Sequence, residues 1–441
     1  MAGGTARPAG AAPDEEGTSR MTFDGDEQTP RATTLDSGLR VVCARRTRAP
    51  VVAILILYGA GSLRDPTGLS GLAHLAEHMM FRGSARFPDG AVDDITNRLG
   101  GVNNAVTTND YAAYYFVFPK ESWRVALDIE ADRMTSCLLN EAAFATERNI
   151  AVEERQMVDD EPEAVLDEAL QRIAFEKHPY GLPVVGLLAD LERAGLSDLR
   201  RFYESWYTPG NAVLAVAGDV APELVFEAAN SSMATLAEAG RRGPSFEAPE
   251  PEPTQHAPRS VRIRRDSGIP RVSIGFRCPA ALQADSPPLD LVSVILGTGR
   301  SSRLYSRLVA SGGDVNDVSV DRMLQSHESL LTVTAELSEH GDLEACEDAV
   351  VDETRRLARS GPSSDELSKA KSLWRLERSL GCETSLGLAG HLAFWEFEDG
   401  WERGDQYEGA VLSATCDDVA RVAATYLDPD VRNSAWMLPA G

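Results

Sequence analysis

Two histidines and a glutamate stand at the spacing H-x-x-E-H in Leu69-Ser-Gly-Leu-Ala-His74-Leu-Ala-Glu77-His78-Met-Met-Phe81. On a helix, His74 and His78 are four residues apart and stack on one face, where both can grip one metal ion. Glu77 projects beside them, placed to take a proton from water that such an ion acidifies. Leu69, Leu72, Ala73, Leu75, Ala76 and Met79 make the same helix mostly apolar, so the imidazoles and the carboxylate are partly buried. Buried polar groups need partners, and a metal ion supplies one. A catalytic zinc takes three protein ligands. The acid-rich segment from Glu147 to Arg155 is the expected donor of the third, and spacing alone leaves Glu147, Glu153 and Glu154 open. Each would otherwise be a solvated helix charge.

The elements that must position these groups are written twice. Val52, Ile54 and Ile56 alternate along a strand, and Val272, Ile274 and Phe276 do so 220 positions later. Asp198, Leu199, Trp206 and Pro209 are answered at the same offset by Asp418, Val419, Tyr426 and Pro429. Val213 to Ala217, stopped by Gly218-Asp219, reads as a short closing strand. A long helical stretch from about Trp123 to Val158 carries Val125, Ile129, Met134 and Leu138 at helical spacing. Segregated strands and helices predict an α+β fold of two similar halves, each a mostly antiparallel sheet packed with helices. Residues 31–240 form the half with the histidines, and residues 259–441 form the second half. Residues 241–258, rich in Pro and Glu from Gly243 to Thr254, read as the linker between them.

At 441 residues, with 43% apolar and 25% charged residues, the chain reads as a soluble, multi-domain protein. Its longest apolar run, Val51 to Leu57, is strand-sized, so no membrane span is expected. Residues 1–30, rich in Ala, Gly, Pro and acids, have no apolar signal core and read as a disordered acidic tail. Six scattered cysteines without a CxxC pair read as reduced thiols, and a cytoplasmic location follows. A net charge of −25 argues against nucleic acid or an anionic membrane as partner.

With these motifs the sequence resembles the insulinase/pitrilysin family of zinc peptidases, in its short-chain branch with the mitochondrial processing peptidases. The resemblance covers nearly all of the chain from Thr34 onward. It rests on the box from His74 to Phe81, on Gly100-Gly-Val-Asn-Asn104-Ala105-Val106-Thr107 with Tyr114-Tyr115, and on Glu147-Arg148 to Glu154. His178-Pro-Tyr-Gly181, Tyr207-Thr-Pro209-Gly-Asn211 and Gly218-Asp219 also fit. It implies that Glu154, 76 residues after His78, is the third ligand of one Zn2+ per chain. It also implies that Glu147, seven residues earlier, supports catalysis beside Glu77. The two halves would enclose a chamber, with an extended peptide lying as an added strand along Asn104, Ala105, Val106 and Thr107. At the repeat offset His74, Glu77 and His78 correspond to Val294, Gly297 and Thr298, so the second half would hold no metal.

One departure bears on assembly. The family usually carries, in the second half, an Arg and a Tyr seven residues apart that steady the substrate carbonyl. The matching positions here are Val309 and Asn316. The expectation is a zinc endopeptidase subunit in a heterodimer, whose homologous partner lacks zinc ligands but carries the Arg–Tyr pair. Leader-peptide processing is one activity of that kind. A non-catalytic structural subunit is the rival reading, and the intact metal box argues against it.

Overall fold

A computed structural model describes residues 29–234, 248–265 and 269–440. The expected tail lies outside these residues except for its last two, as does the start of the linker. The first half runs β1 (Arg31–Thr34), β2 (Arg40–Arg45), β3 (Val51–Tyr58), α1 (Leu72–Met80), α2 (Ala91–Arg98), β4 (Val102–Thr107) and β5 (Ala112–Pro119). It continues with α3 (Arg124–Ser136), α4 (Glu141–Asp160), α5 (Pro162–Ala174), α6 (Leu188–Arg193), α7 (Leu196–Trp206), β6 (Ala212–Gly218) and α8 (Pro222–Ser232). The second half runs β7 (Arg259–Arg265), β8 (Arg271–Cys278), α9 (Ser286–Gly297), β9 (Val315–Arg322), β10 (Ser329–Leu337) and α10 (Leu343–Ser360). It ends with α11 (Ser364–Gly381), α12 (Ser385–Glu398), α13 (Arg403–Ser413), α14 (Cys416–Tyr426) and β11 (Asn433–Pro439).

The strand orders are β1-β2-β6-β3-β5-β4 and β7-β11-β8-β10-β9. The second sheet repeats the first without its outermost strand, so the fold is α+β with two like halves. Both sheets are antiparallel apart from one parallel pair each, β2 with β6 and β7 with β11. β3 and β8 begin 220 residues apart, as do α7 and α14. The repeat is therefore a repeat of structure.

Alternate residues of each central strand serve two different cores. Val52, Ile54, Ile56, Tyr114 and Leu214 face α1, α3, α7 and α8. Leu55, Leu57, Ala113, Val213 and Ala215 face the other way, against Leu388, Ala389, Leu392 and Ala393 of α12, a helix of the second half. The exchange is mutual. α5 of the first half lays Leu166, Leu170 and Ala174 on the outer face of the second sheet, against Ala435 and Met437. This is why β3 reads as a continuous apolar run instead of alternating apolar and polar residues: both its faces are dry.

The long helical stretch is two helices, not one. Residues 137–140 break it, and the Asn140 side chain caps the first turn of α4 by accepting from Ala143 N at 2.9 Å. The described part of the linker is docked onto the first half. Glu252 is buried, and its carboxylate accepts the backbone N–H groups of Glu176, Lys177 and His178 at 3.1, 2.8 and 2.9 Å.

Candidate metal centre

Helix α1 is pinned before it presents any chemistry. Its unpaired first-turn amides are met by Asp65, which accepts from Gly71 N at 2.7 Å and Ala73 N at 2.8 Å. Asp190 accepts from the amide and hydroxyl of Ser70 just before it, at 3.1 and 2.7 Å. Gly71 has φ +91°, and a Cβ there would lie 2.4 Å from the carbonyl oxygen of Val185. Leu72, Ala73, Leu75, Ala76, Met79 and Met80 are buried, which turns the half-buried His74, Glu77 and His78 outward together.

The two imidazoles converge. His74 Nε2 and His78 Nε2 are 3.3 Å apart, and Glu154 Oε2 lies 3.6 Å from the first and 3.4 Å from the second. Ligand atoms of these three residues all fall within 4.8 Å of one another. Of the three open acids, Glu154 is the one whose carboxylate reaches both imidazoles. Glu147 and Glu154 are two turns apart on one face of α4, whereas Glu153 is rotated off it and exposed. Glu147 instead takes the far nitrogen of His78, accepting from Nδ1 at 3.0 Å. That bond leaves the Nε2 lone pair of His78 directed at the cluster.

The donor set fits a zinc ion. Burial pushes His74 down to about 4, and the neighbouring His78 adds to the effect, so the ring is neutral with a free lone pair. Two imidazoles and a carboxylate form a three-ligand set with room for water or substrate. Glu77 stands beside them without belonging to the cluster. Burial raises its pKa, and a hydrogen bond from Thr107 pulls the other way.

Among the described residues β4 is an edge strand, bonded only to β5. Along it Val102, Asn104 and Val106 are exposed, while Asn103, Ala105 and Thr107 are half-buried. Of the four residues expected to receive a peptide, Thr107 therefore does something else with its side chain: it donates to Glu77 Oε2. Asn104 Oδ1 accepts from the Ala105 amide at 2.9 Å, so the strand edge partly satisfies itself.

In the second half the equivalent helix, α9, carries Val294 and Gly297, with Thr298 as its cap. Val309 ends a short π-helical turn, and Asn316 lies on edge strand β9 with its amide donating to Leu337 O at 3.1 Å. Arg307, two residues from the expected arginine position, is bonded to Asp352 at 3.0 Å.

Arg82 was not among the expected site residues. Its guanidinium grips Glu147 through Nε and Nη2. Arg82 lies just past the end of α1, and its partner Glu147 is 65 residues further along the chain, so no local spacing marks it.

Among the described residues one His–His–Glu cluster, with His74 and His78 on the pinned α1 and Glu154 on α4, lies beside an open strand edge in one of two like halves. Residues 40–186 match the family model described as Insulinase (Peptidase family M16), and residues 194–373 match that of the Peptidase M16 inactive domain. The chain belongs to the insulinase/pitrilysin-like M16 family of metallopeptidases. The zinc protease PqqE of Helicobacter pylori is 28% identical over 412 residues, 92% of this chain and 92% of that protein. The crystal structure of a protease from Helicobacter pylori matches with a TM-score of 0.87 at 28% identity, over 93% of this chain and 100% of the other. The periplasmic protease PqqL of Escherichia coli matches with a TM-score of 0.77 at 17% identity, over 95% of this chain but 48% of that one. No helix among the described residues is long and apolar enough to cross a membrane.

Proposed function

We propose that this chain is a zinc-dependent endopeptidase acting on extended peptides, and that it is the zinc-bearing subunit of a heterodimer. The observation that carries the first part is the convergence of His74 Nε2, His78 Nε2 and Glu154 Oε2, with Glu77 outside the cluster and beside it. His74, His78 and Glu154 would hold a zinc ion, which would supply Lewis acidity toward water and a scissile carbonyl. Glu77 is the base: its carboxylate takes the proton of the attacking water and passes it to the leaving amine. Glu147 orients His78 from the far side of the ring. The edge of β4 from Asn104 to Thr107 receives the peptide backbone as an added strand, displacing the Asn104 side chain from the Ala105 amide.

Val309 and Asn316 stand where an arginine and a tyrosine would steady the developing oxyanion. Loss of one such donor costs roughly two to three orders of magnitude in rate. A homologous subunit without zinc ligands but with the Arg–Tyr pair would restore it. Six free cysteines favour a reducing compartment, the cytoplasm, and leader-peptide removal is a task that such a pair suits.

The test is cleavage of unstructured peptides by the zinc-loaded chain, alone and with the homologous product of a neighbouring gene, beside a Glu77→Gln control. Cleavage that needs both the partner and Glu77 supports the proposal. Unchanged cleavage by Glu77→Gln sinks the mechanism, and equal cleavage without the partner sinks the heterodimer.

A further inference from the structure

Glu147 is nearly enclosed, its side chain 4% exposed, yet it touches only one side of one ligand. Its two oxygens have different duties. Oε2 accepts from His78 Nδ1 at 3.0 Å, while Oε1 receives both Nε and Nη2 of Arg82. The third guanidinium nitrogen, Nη1, reaches toward Asp89 Oδ1 at 3.6 Å. The backbone is built to bring that last acid in. Gly83 has φ +97°, and a Cβ on it would lie 2.7 Å from the Asp89 amide. Ser84 N donates to Phe87 O at 2.7 Å, closing the turn between the end of α1 and Asp89.

A carboxylate this deep costs several kcal/mol unless its charge is answered and its lone pairs are filled. The planar Arg82 fork does both, and it fixes the carboxylate plane as well as its charge. We propose that Arg82 is a positioning residue of the metal centre. By clamping Oε1 it leaves Oε2 one orientation, which holds the His78 ring with Nε2 turned toward His74 and Glu154. The proposal rests on the reading of His74, His78 and Glu154 as metal ligands.

The test measures metal binding by the full chain, independent of activity. Zinc affinity is read by competition with a chromophoric chelator, and ligand geometry by the visible absorption of the Co2+-loaded protein. Arg82→Gln is expected to weaken zinc binding about 10- to 100-fold and to shift the Co2+ bands. Arg82→Lys is expected to fall between, since it restores the charge without the fork. In a Glu147→Ala background, Arg82→Gln should cost nothing further, because its effect runs through that carboxylate. Affinity within twofold of wild type with unaltered bands overturns the proposal, as does an effect that simply adds to that of Glu147→Ala. Should Arg82→Gln fail to fold, the Arg82→Lys and Glu147→Ala pair decides by the same criterion of additivity. A wild-type chain that takes up no zinc overturns the ligand reading itself.

Discussion

Thr107 Oγ1 donates a hydrogen bond to Glu77 Oε2, tying the strand edge that would receive a peptide to the carboxylate that would take the proton. Burial raises the Glu77 pKa and the Thr107 bond opposes that, so the hydroxyl favours the ionised form of the carboxylate. Thr107→Val keeps the shape and removes the donor. It should lower kcat by about 10- to 100-fold with zinc content unchanged, and move the acid limb of the kcat/KM profile to higher pH. Thr107→Ser should recover most of the loss. A Thr107→Val profile superimposable on that of wild type would count against any such link.

The chemistry was more legible in the sequence than the scaffold that aims it. The spacing of His74, Glu77 and His78 was readable because a helix converts four residues into one face. The repeat was readable because both copies keep apolar residues at matching strand positions. Which acid on α4 completes the cluster was not readable from spacing, since that depends on how the helix is rolled against α1. The mutual exchange of α5 and α12 was hidden for a related reason. It turns alternating strands into continuous apolar runs, and nothing local says which helix covers the second face. Arg82 and the Thr107–Glu77 bond were missed because both lie across contacts between distant segments.

Gly71 and Gly186 lie back to back, and a Cβ on Gly186 would come within 2.6 Å of Gly71 Cα. Gly71→Ala meets two penalties, a positive φ and a collision with the Val185 carbonyl. We expect roughly 3 kcal/mol or more of lost stability. Gly90→Ala has φ +77° but open space around its Cβ, so about 1–2 kcal/mol is expected there. Denaturant midpoints of both variants check the contrast. Equal losses would mean that the close approach at Gly71 does not constrain the start of α1.

Each sheet owes one of its dry faces to a helix of the other half, so the halves should unfold as one unit. Leu392 of α12 is 1% exposed, packed among Leu55, Leu57 and Val213 of the first sheet. Leu392→Ala should cost about 2–5 kcal/mol. It should also shift every probe of the first half and of the second half by the same amount, although the substitution lies in the second. Fluorescence and hydrogen exchange, read separately for Trp123 and Trp436, provide those probes. Two separate transitions, with only one displaced, would show that the exchanged helices do not bind the halves together.

His178 gives the molecule an acid weakness away from the His74–His78–Glu154 cluster. It is buried at the junction of the halves, its ring 5.3 Å from that of His327, and its Nε2 has no hydrogen-bond partner among the described residues. Burial pushes its pKa down to about 4, helped by His327, while the nearby Glu252 acts in the opposite sense. In the unfolded chain the same group titrates near its usual value of about 6.5. Below that pH the unfolded state takes a proton that the folded state refuses, so folding stability falls as pH drops from about 6.5 toward 4. Asp110, whose carboxyl burial raises, works in the opposite direction in the same region, so wild type alone would blur the effect. His178→Gln isolates it. The stability gap between wild type and this variant should be widest near neutral pH and should narrow steadily on acidification. Urea midpoints at several pH values measure that gap, and a gap independent of pH would remove His178 as the cause.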